Sequence, residues 1–178
     1  MEVYLVRHTE TVCPKGVIYG QADVGIIEPY DPVFQGILKQ LPQEALLYSS
    51  PLQRCKILAN YILENTKTES IIEDSRLMEM NFGDWELQKW NDIPKEILDP
   101  WMNDFVTVAV PNGESFIDLD HRVWDFMTNE IQHKHSKPVI IVAHSGVIRS
   151  VLCRINKIPL QEAFTNVIDY GVVFKIEL

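Results

Sequence analysis

The sequence predicts an α/β fold: a doubly wound, mostly parallel central sheet with helices on both faces, in three layers. Three observations predict it. An apolar strand, a short polar turn and an amphipathic helix follow one another in that order at three places in the chain. Such alternation is the signature of crossover-connected parallel strands. One of the strands, Val139-Ile140-Ile141-Val142, is apolar at every position, as expected where helices cover both sides of a sheet.

The elements read in order as follows. Val3 to Val6 forms the first strand and runs into Arg7-His8-Thr9. Gly25, Pro29, Pro32 and Gly36 break any long helix in the next stretch, leaving a short one near Phe34–Gln40. Ala45 to Tyr48 is the second strand, followed by Ser49-Ser50-Pro51. Ser50 is placed as N-cap, Pro51 as first helical residue, and Gln53 as the partner in an S-x-x-Q box. Leu52, Cys55, Leu58, Ala59, Ile62 and Leu63 then repeat at helical spacing. A longer helix is expected over Ser115–Gln132, with Phe116, Leu119, Val123, Phe126, Met127 and Ile131 on one side. Val147, Ile148, Val151, Leu152 and Ile155 mark the helix after Ser145, and Val172–Ile176 is the last strand. Residues 82–113 carry three of the four tryptophans but no strong period. Trp85, Trp90 and Trp101 are read as packing residues rather than a stacking platform.

With 178 residues, 46% hydrophobic and 23% charged, and no linker or repeat, the chain is read as one domain over residues 1–178. No apolar run approaches the roughly 18 residues that span a bilayer. Val3 to Val6 meets Arg7 at once, which argues against a signal peptide or membrane helix. Sixteen Lys and Arg against 25 Asp and Glu give a net charge of −9, with no basic stripe for nucleic acid. Cys13, Cys55 and Cys153 form no CxxC pair, so reduced thiols in a cytoplasmic protein fit better than a disulfide or zinc framework. Cys55 and Cys153 are read as core filler. Nothing in the sequence specifies an oligomeric state.

In doubly wound sheets ligands bind outside the carboxyl ends of the strands. Arg7, His8 and His144 lie at or just past such ends, and Arg54 lies in the first turn of the following helix. Helix N-termini at Ser50 and Ser145 add backbone N–H donors. The result is an anion pocket. Arginine matches phosphate oxygens in a planar fork. A neutral imidazole is a competent nucleophile at pH 7. A metal shared by His8 and His144 is disfavoured, since no third ligand stands in suitable spacing. His121, His133 and His135 are read as surface residues.

Five ordered segments resemble the histidine phosphatase superfamily, the phosphoglycerate mutase-like proteins. Leu5-Val6-Arg7-His8-Thr9-Glu10-Thr11 resembles L-x-R-H-G-E-T, and Ser49-Ser50-Pro51-Leu52-Gln53-Arg54 resembles S-S-P-L-x-R. Leu77 to Glu86 resembles L-x-E-x-x-F-G-x-W-E; Pro111 to Ser115 matches P-x-G-E-S; Val142 to Arg149 matches V-x-H-x-G-V-I-R. The resemblance implies His8 as the phosphorylated nucleophile, with Arg7, Arg54 and His144 clamping the phosphoryl oxygens. It implies Glu79 as the leaving-group acid, Glu86 and Glu114 being the alternatives. Thr11, the loop Tyr19-Gly20-Gln21, and Ser145-Gly146 are expected to line the substrate. No metal or cofactor is required, and the partner is a small phosphorylated metabolite.

The chain departs from the pattern at Thr9 and at Leu87, where glycine is frequent, and at Leu58, where threonine is common. Within the superfamily the resemblance is strongest to α-ribazole phosphatases, through Arg7 to Thr11, Tyr19 to Val24 and Phe82 to Glu86. That branch removes the 5′-phosphate of α-ribazole phosphate in cobalamin assembly. A phosphoglycerate mutase, a broad sugar or nucleotide phosphatase, and a non-catalytic phospho-ligand binder are the alternatives. The compact chain favours hydrolysis over the mutase, and the intact set of catalytic groups disfavours the binder.

Overall fold

The computed structural model describes residues 1–132 and 137–178, so His133 and His135 lie outside the described residues. Five strands form one sheet: β1 (Glu2–Arg7), β2 (Leu46–Ser49), β3 (Ile71–Glu73), β4 (Val139–Ala143) and β5 (Val173–Glu177). Their spatial order is β3-β2-β4-β1-β5. All pairs are parallel except β1 with β5, which is antiparallel. The predicted doubly wound α/β architecture is the one observed.

Helices α1 (Asp31–Leu38) and α2 (Gln53–Glu64) cover one face, while α4 (Phe116–Phe126) and α5 (Ser145–Asn156) cover the other. The two-residue alternation of strands shares the apolar side chains between these layers. Val3, Leu5, Val139 and Ile141 pack toward α4 and α5; Tyr4, Val6, Ile140 and Val142 pack toward α1 and α2. Covering on both sides is why β4 has no polar position. Cys55 and Cys153 are buried filler, as expected.

Several boundaries differ from expectation, each for a local reason. Helix α1 begins at Asp31 because Pro32 suits a first turn, and Gly36 is carried inside it. The Ser50 capping box does not form, and α2 starts only at Gln53. Its first N–H is capped instead by Asp23, whose Oδ1 accepts from Gln53 N at 2.7 Å, while the Gln53 amide donates to Asp23 O. Ser50 Oγ accepts from Leu52 N at 3.4 Å and keeps room for another partner. The long helix over 115–132 is α4 continued by a π-helical turn, Met127–Ile131, and Ser115 with Asp118 forms its capping box. The sequence reading missed β3, too short and exposed to show a pattern, and α3 (Lys95–Asn103), which buries only Trp101 and contains Pro100.

Leu87 has φ 64, the left-handed region that favours glycine. This backbone requirement accounts for glycine being frequent there.

Candidate active site

Strand register brings the chemistry together. Arg7 pairs with Ala143 and Ser49 with Val142, so the next residues, His8, His144 and Ser50, emerge side by side. Backbone bonds His8 N to Ala143 O (3.2 Å) and Ser50 N to Val142 O (3.0 Å) carry the ladder one step beyond the strands. Strands β1 and β2 feed helices on one face, whereas β4 between them feeds α5 on the other. The crevice therefore opens over β4.

His8, His144 and Arg54 are all but inaccessible, at 1%, 0% and 0% exposure. The two imidazole centroids are 5.1 Å apart. His8 Nδ1 lies 2.7 Å from Thr9 O. A carbonyl can only accept, so Nδ1 carries the proton and Nε2 keeps its lone pair. His144 Nδ1 accepts from Arg54 Nε at 3.3 Å, which leaves Nε2 to donate to Ser50 Oγ at 2.8 Å. Burial, then the Arg54 charge, holds the His8 pKa well below the usual histidine range, with a smaller push from Arg7. His144 is held low by burial, Arg54 and the neighbouring His8. Both rings are neutral at pH 7.

Arg54 donates its terminal nitrogens to Gly20 O (2.5 Å) and Ala22 O (2.8 Å). Two of its five N–H groups remain uncommitted. Arg7 donates to Ile168 O and lies 3.9 Å over the Tyr170 ring. Neither arginine forms an ion pair among the described residues. A buried guanidinium without a carboxylate is costly unless an anion completes it.

Glu79 meets the N-terminus of α5. Its Oε1 accepts from Gly146 N at 3.1 Å and Met80 N at 2.9 Å, and its Oε2 from Ser145 Oγ at 3.2 Å. Its backbone is pinned as well: Glu79 O accepts from Gln21 Nε2 and from Arg122 Nη2. Arg122 also donates to Arg76 O and Met78 O and is paired with Glu114. Glu114 and Glu86 are thus held in scaffold roles. Glu114 binds Arg122 and Asn81 N, and Glu86 Oε1 ties Gln21 N to Phe82 N.

The Tyr19-Gly20-Gln21 loop borders the arginines, with Tyr19 hydroxyl 3.0 Å from that of Tyr170. Gly20 has φ +40, and an added Cβ would meet Glu86 Oε1 at 2.4 Å. Thr11 is buried and bridged to Ile26, and it lines a separate hollow beyond Tyr19 and Tyr170 rather than the histidine floor. A Cβ added at Gly171 would lie 3.7 Å from the Thr9 methyl. Trp85 and Trp101 are buried and packed edge to face at 5.7 Å, as their packing role requires; His121 is exposed.

Sequence reasoning missed Ser50, Arg122 and Tyr170. Ser50 was spent on a cap. Arg122 is one charge on an amphipathic helix, and Tyr170 sits in an aperiodic stretch; neither leaves a sequence signal. Among the described residues no helix is long and apolar enough to cross a membrane, and no group of three or more His, Cys, Asp or Glu could hold a metal.

A profile of the histidine phosphatase superfamily (branch 1) matches residues 3–178. The adenosylcobalamin/α-ribazole phosphatase of Escherichia coli is 27% identical over 191 residues, covering 100% of this chain and 90% of its own. A 2,3-bisphosphoglycerate-dependent phosphoglycerate mutase of Bartonella henselae is 28% identical, covering 94% and 87%. Among solved structures, the α-ribazole phosphatase of Shigella flexneri superposes with a TM-score of 0.89 at 26% identity, covering 100% and 91%.

Proposed function

The chain belongs to the histidine phosphatase superfamily, and from that premise we propose that this phosphatase hydrolyses phosphomonoesters through a phosphohistidine on His8. The observation that carries the reading is the His8 ring: neutral, its Nδ1 proton anchored on Thr9 O, its Nε2 lone pair presented beside Arg54 and His144.

In this reading Nε2 attacks phosphorus, an N–P bond forms, and the P–O bond to the alcohol breaks. Arg7, Arg54 and His144 balance the charge on the equatorial oxygens, and the α5 N-terminus, begun by Ser145 and Gly146, adds its positive dipole end. Glu79 is the general acid that gives a proton to the departing alkoxide. As a carboxylate it then takes a proton from the water that attacks the phosphohistidine. Tyr19, Gly20 and Gln21 line the leaving-group side, and Thr11 supports that wall from behind. The site's cationic charge comes from side chains and backbone, so no metal or cofactor takes part.

For the substrate we propose α-ribazole 5′-phosphate or its cobamide form. Support comes from the likeness to α-ribazole phosphatases over the whole chain. The whole of residues 1–178 acts as one domain in this reading, in the cytoplasm. The test is rapid quenching with ³²P-labelled ester, which should trap an acid-labile, base-stable adduct on His8. His8→Ala protein that still turns over and labels normally would overturn the assignment.

A further inference from the structure

Tyr170 is an aromatic residue of the site to which the reaction above gives no part. The Arg7 guanidinium carbon lies 3.9 Å from the centre of its ring, and the His8 ring centre lies 5.7 Å away. The guanidinium carbon of Arg54 stands 5.1 Å from the centre of the Tyr19 ring. The two phenol oxygens are 3.0 Å apart, across 151 residues of chain. Each arginine thus has an aromatic face of its own, and one hydrogen bond joins the two tyrosines.

Arg7 has little else to hold it. Its side chain donates to Ile168 O, its Nε is buried without a partner, and among the described residues it makes no ion pair. A guanidinium forks two phosphate oxygens only when its plane is fixed, and an aromatic face against the cation is a means of fixing it. Tyr170 is fixed in turn by backbone bonds on its C-terminal side. Gly171 N donates to His8 O and Arg7 N donates to Val172 O, both at 3.1 Å, so the tyrosine is tied to the strand end that carries the nucleophile. Tyr19 belongs to the loop whose Gly20 O and Ala22 O accept from Arg54. Burial, then the bond to Tyr170, raises the Tyr19 pKa above the usual phenol range, so Tyr19 keeps its proton at pH 7.

We propose that Tyr170 is a positioning residue for phosphoryl transfer. Its ring sets the plane of Arg7, and its hydroxyl, bonded to Tyr19, yokes Arg7 to Arg54 so that both guanidiniums meet one phosphoryl group at a fixed spacing. This rests on the hydrolase reading above and adds to it the part that keeps the two arginines in register. The yoke acts on the phosphoryl oxygens and not on the leaving alcohol, so its loss is felt equally by every ester. Loss of Glu79, by contrast, depends on the leaving group.

The test pairs calorimetric titration of inorganic phosphate with kcat/KM for ribose 5-phosphate and p-nitrophenyl phosphate. Tyr170→Leu removes ring and hydroxyl. It should weaken phosphate binding, and lower kcat/KM on both esters alike, by about tenfold, within the range of a partly desolvated cation–π contact. Tyr170→Phe keeps the ring and should stay within about threefold of wild type. Tyr19→Phe should match it, and the double phenylalanine variant should be no worse than either, because each removes the same hydrogen bond. In an Arg7→Ala background Tyr170→Leu should change neither kcat/KM further, since the ring acts through Arg7. Unchanged phosphate binding in Tyr170→Leu, a loss confined to one ester, or a full loss on top of Arg7→Ala overturns the positioning role. The phenylalanine pair decides the hydroxyl tie even if the leucine variant does not fold, and losses that multiply in it overturn the yoke. Weakened phosphate binding in Tyr170→Leu, with no hydrolysis of either ester by the wild-type protein, overturns the hydrolase reading and leaves the yoke standing.

Discussion

The Glu79 carboxylate and the Gly146 backbone N–H are 3.1 Å apart, and a Cβ added at Gly146 would stand 2.3 Å from Glu79 Oε1. The helix start and the acid share one small space that only glycine leaves open. Gly146→Ala should therefore fold but displace Glu79, cutting kcat on alkyl phosphates by about 10²-fold or more, within the range for lost acid catalysis. Full activity in that variant would show that the contact has no catalytic weight.

Glu79→Gln separates proton donation from positioning. A sugar alkoxide needs a proton in the transition state, while p-nitrophenolate barely does. We expect a loss of about 10²–10⁴-fold on the alkyl ester and a distinctly smaller one on the aryl ester. Equal losses would assign Glu79 another role.

Arg122 and Glu114 position Glu79 without touching the reacting atoms. Glu114→Gln keeps a hydrogen bond to Arg122 but loses its charge. It should lower kcat on alkyl esters by about tenfold and leave the aryl ester little changed, since the motion it permits is that of the acid. A larger loss on the aryl ester would contradict this.

The two neutral histidines set a pH limit on stability. Their folded pKa values lie below the unfolded value, so the unfolded chain binds protons that the native state refuses. Stability is full above about pH 6.5 and is lost as pH falls below it, with a slope approaching about 1.4 kcal/mol per pH unit for each ring. Urea midpoints measured from pH 7.5 to 5.5 should show this slope, and His144→Gln should roughly halve it. A flat profile would mean the rings are charged in the folded protein.

Leu87 holds a left-handed backbone at 63% exposure, so its side chain contributes little to offset the strain. Leu87→Gly should stabilise the fold by about 0.5–1 kcal/mol, read as a raised Tm. A lowered Tm would show that the side chain packs better than its exposure indicates.

The sheet was legible because its strands are covered on both faces and its helices on one. Continuous apolar runs and 3.6-residue periods are what those environments select, as in Val139–Val142 and Leu52–Leu63. Short or half-exposed elements carry no such record. Strand β3 has no buried residue and α3 has one. At the site, Arg7, His8, Arg54 and His144 were legible because strand ends and a helix start place them. Their supports were not: Arg122 reaches Glu79 across 43 residues of chain and Tyr170 reaches Arg7 across 163, distances that no local pattern encodes. Ser50 is ambiguous in sequence, because a serine before proline serves equally as a cap or as a hydrogen-bond partner of a buried ring.

Arg54 lies wholly buried, with two carbonyl oxygens and the His144 ring as its hydrogen-bond partners and no ion pair among the described residues. Those partners leave its charge without a counter-charge from the protein, and a tetrahedral oxyanion bound beside it supplies one. Inorganic phosphate, the reaction's own product, is such an anion. Inorganic phosphate should therefore inhibit the hydrolysis and raise the melting temperature with its concentration, by mass action.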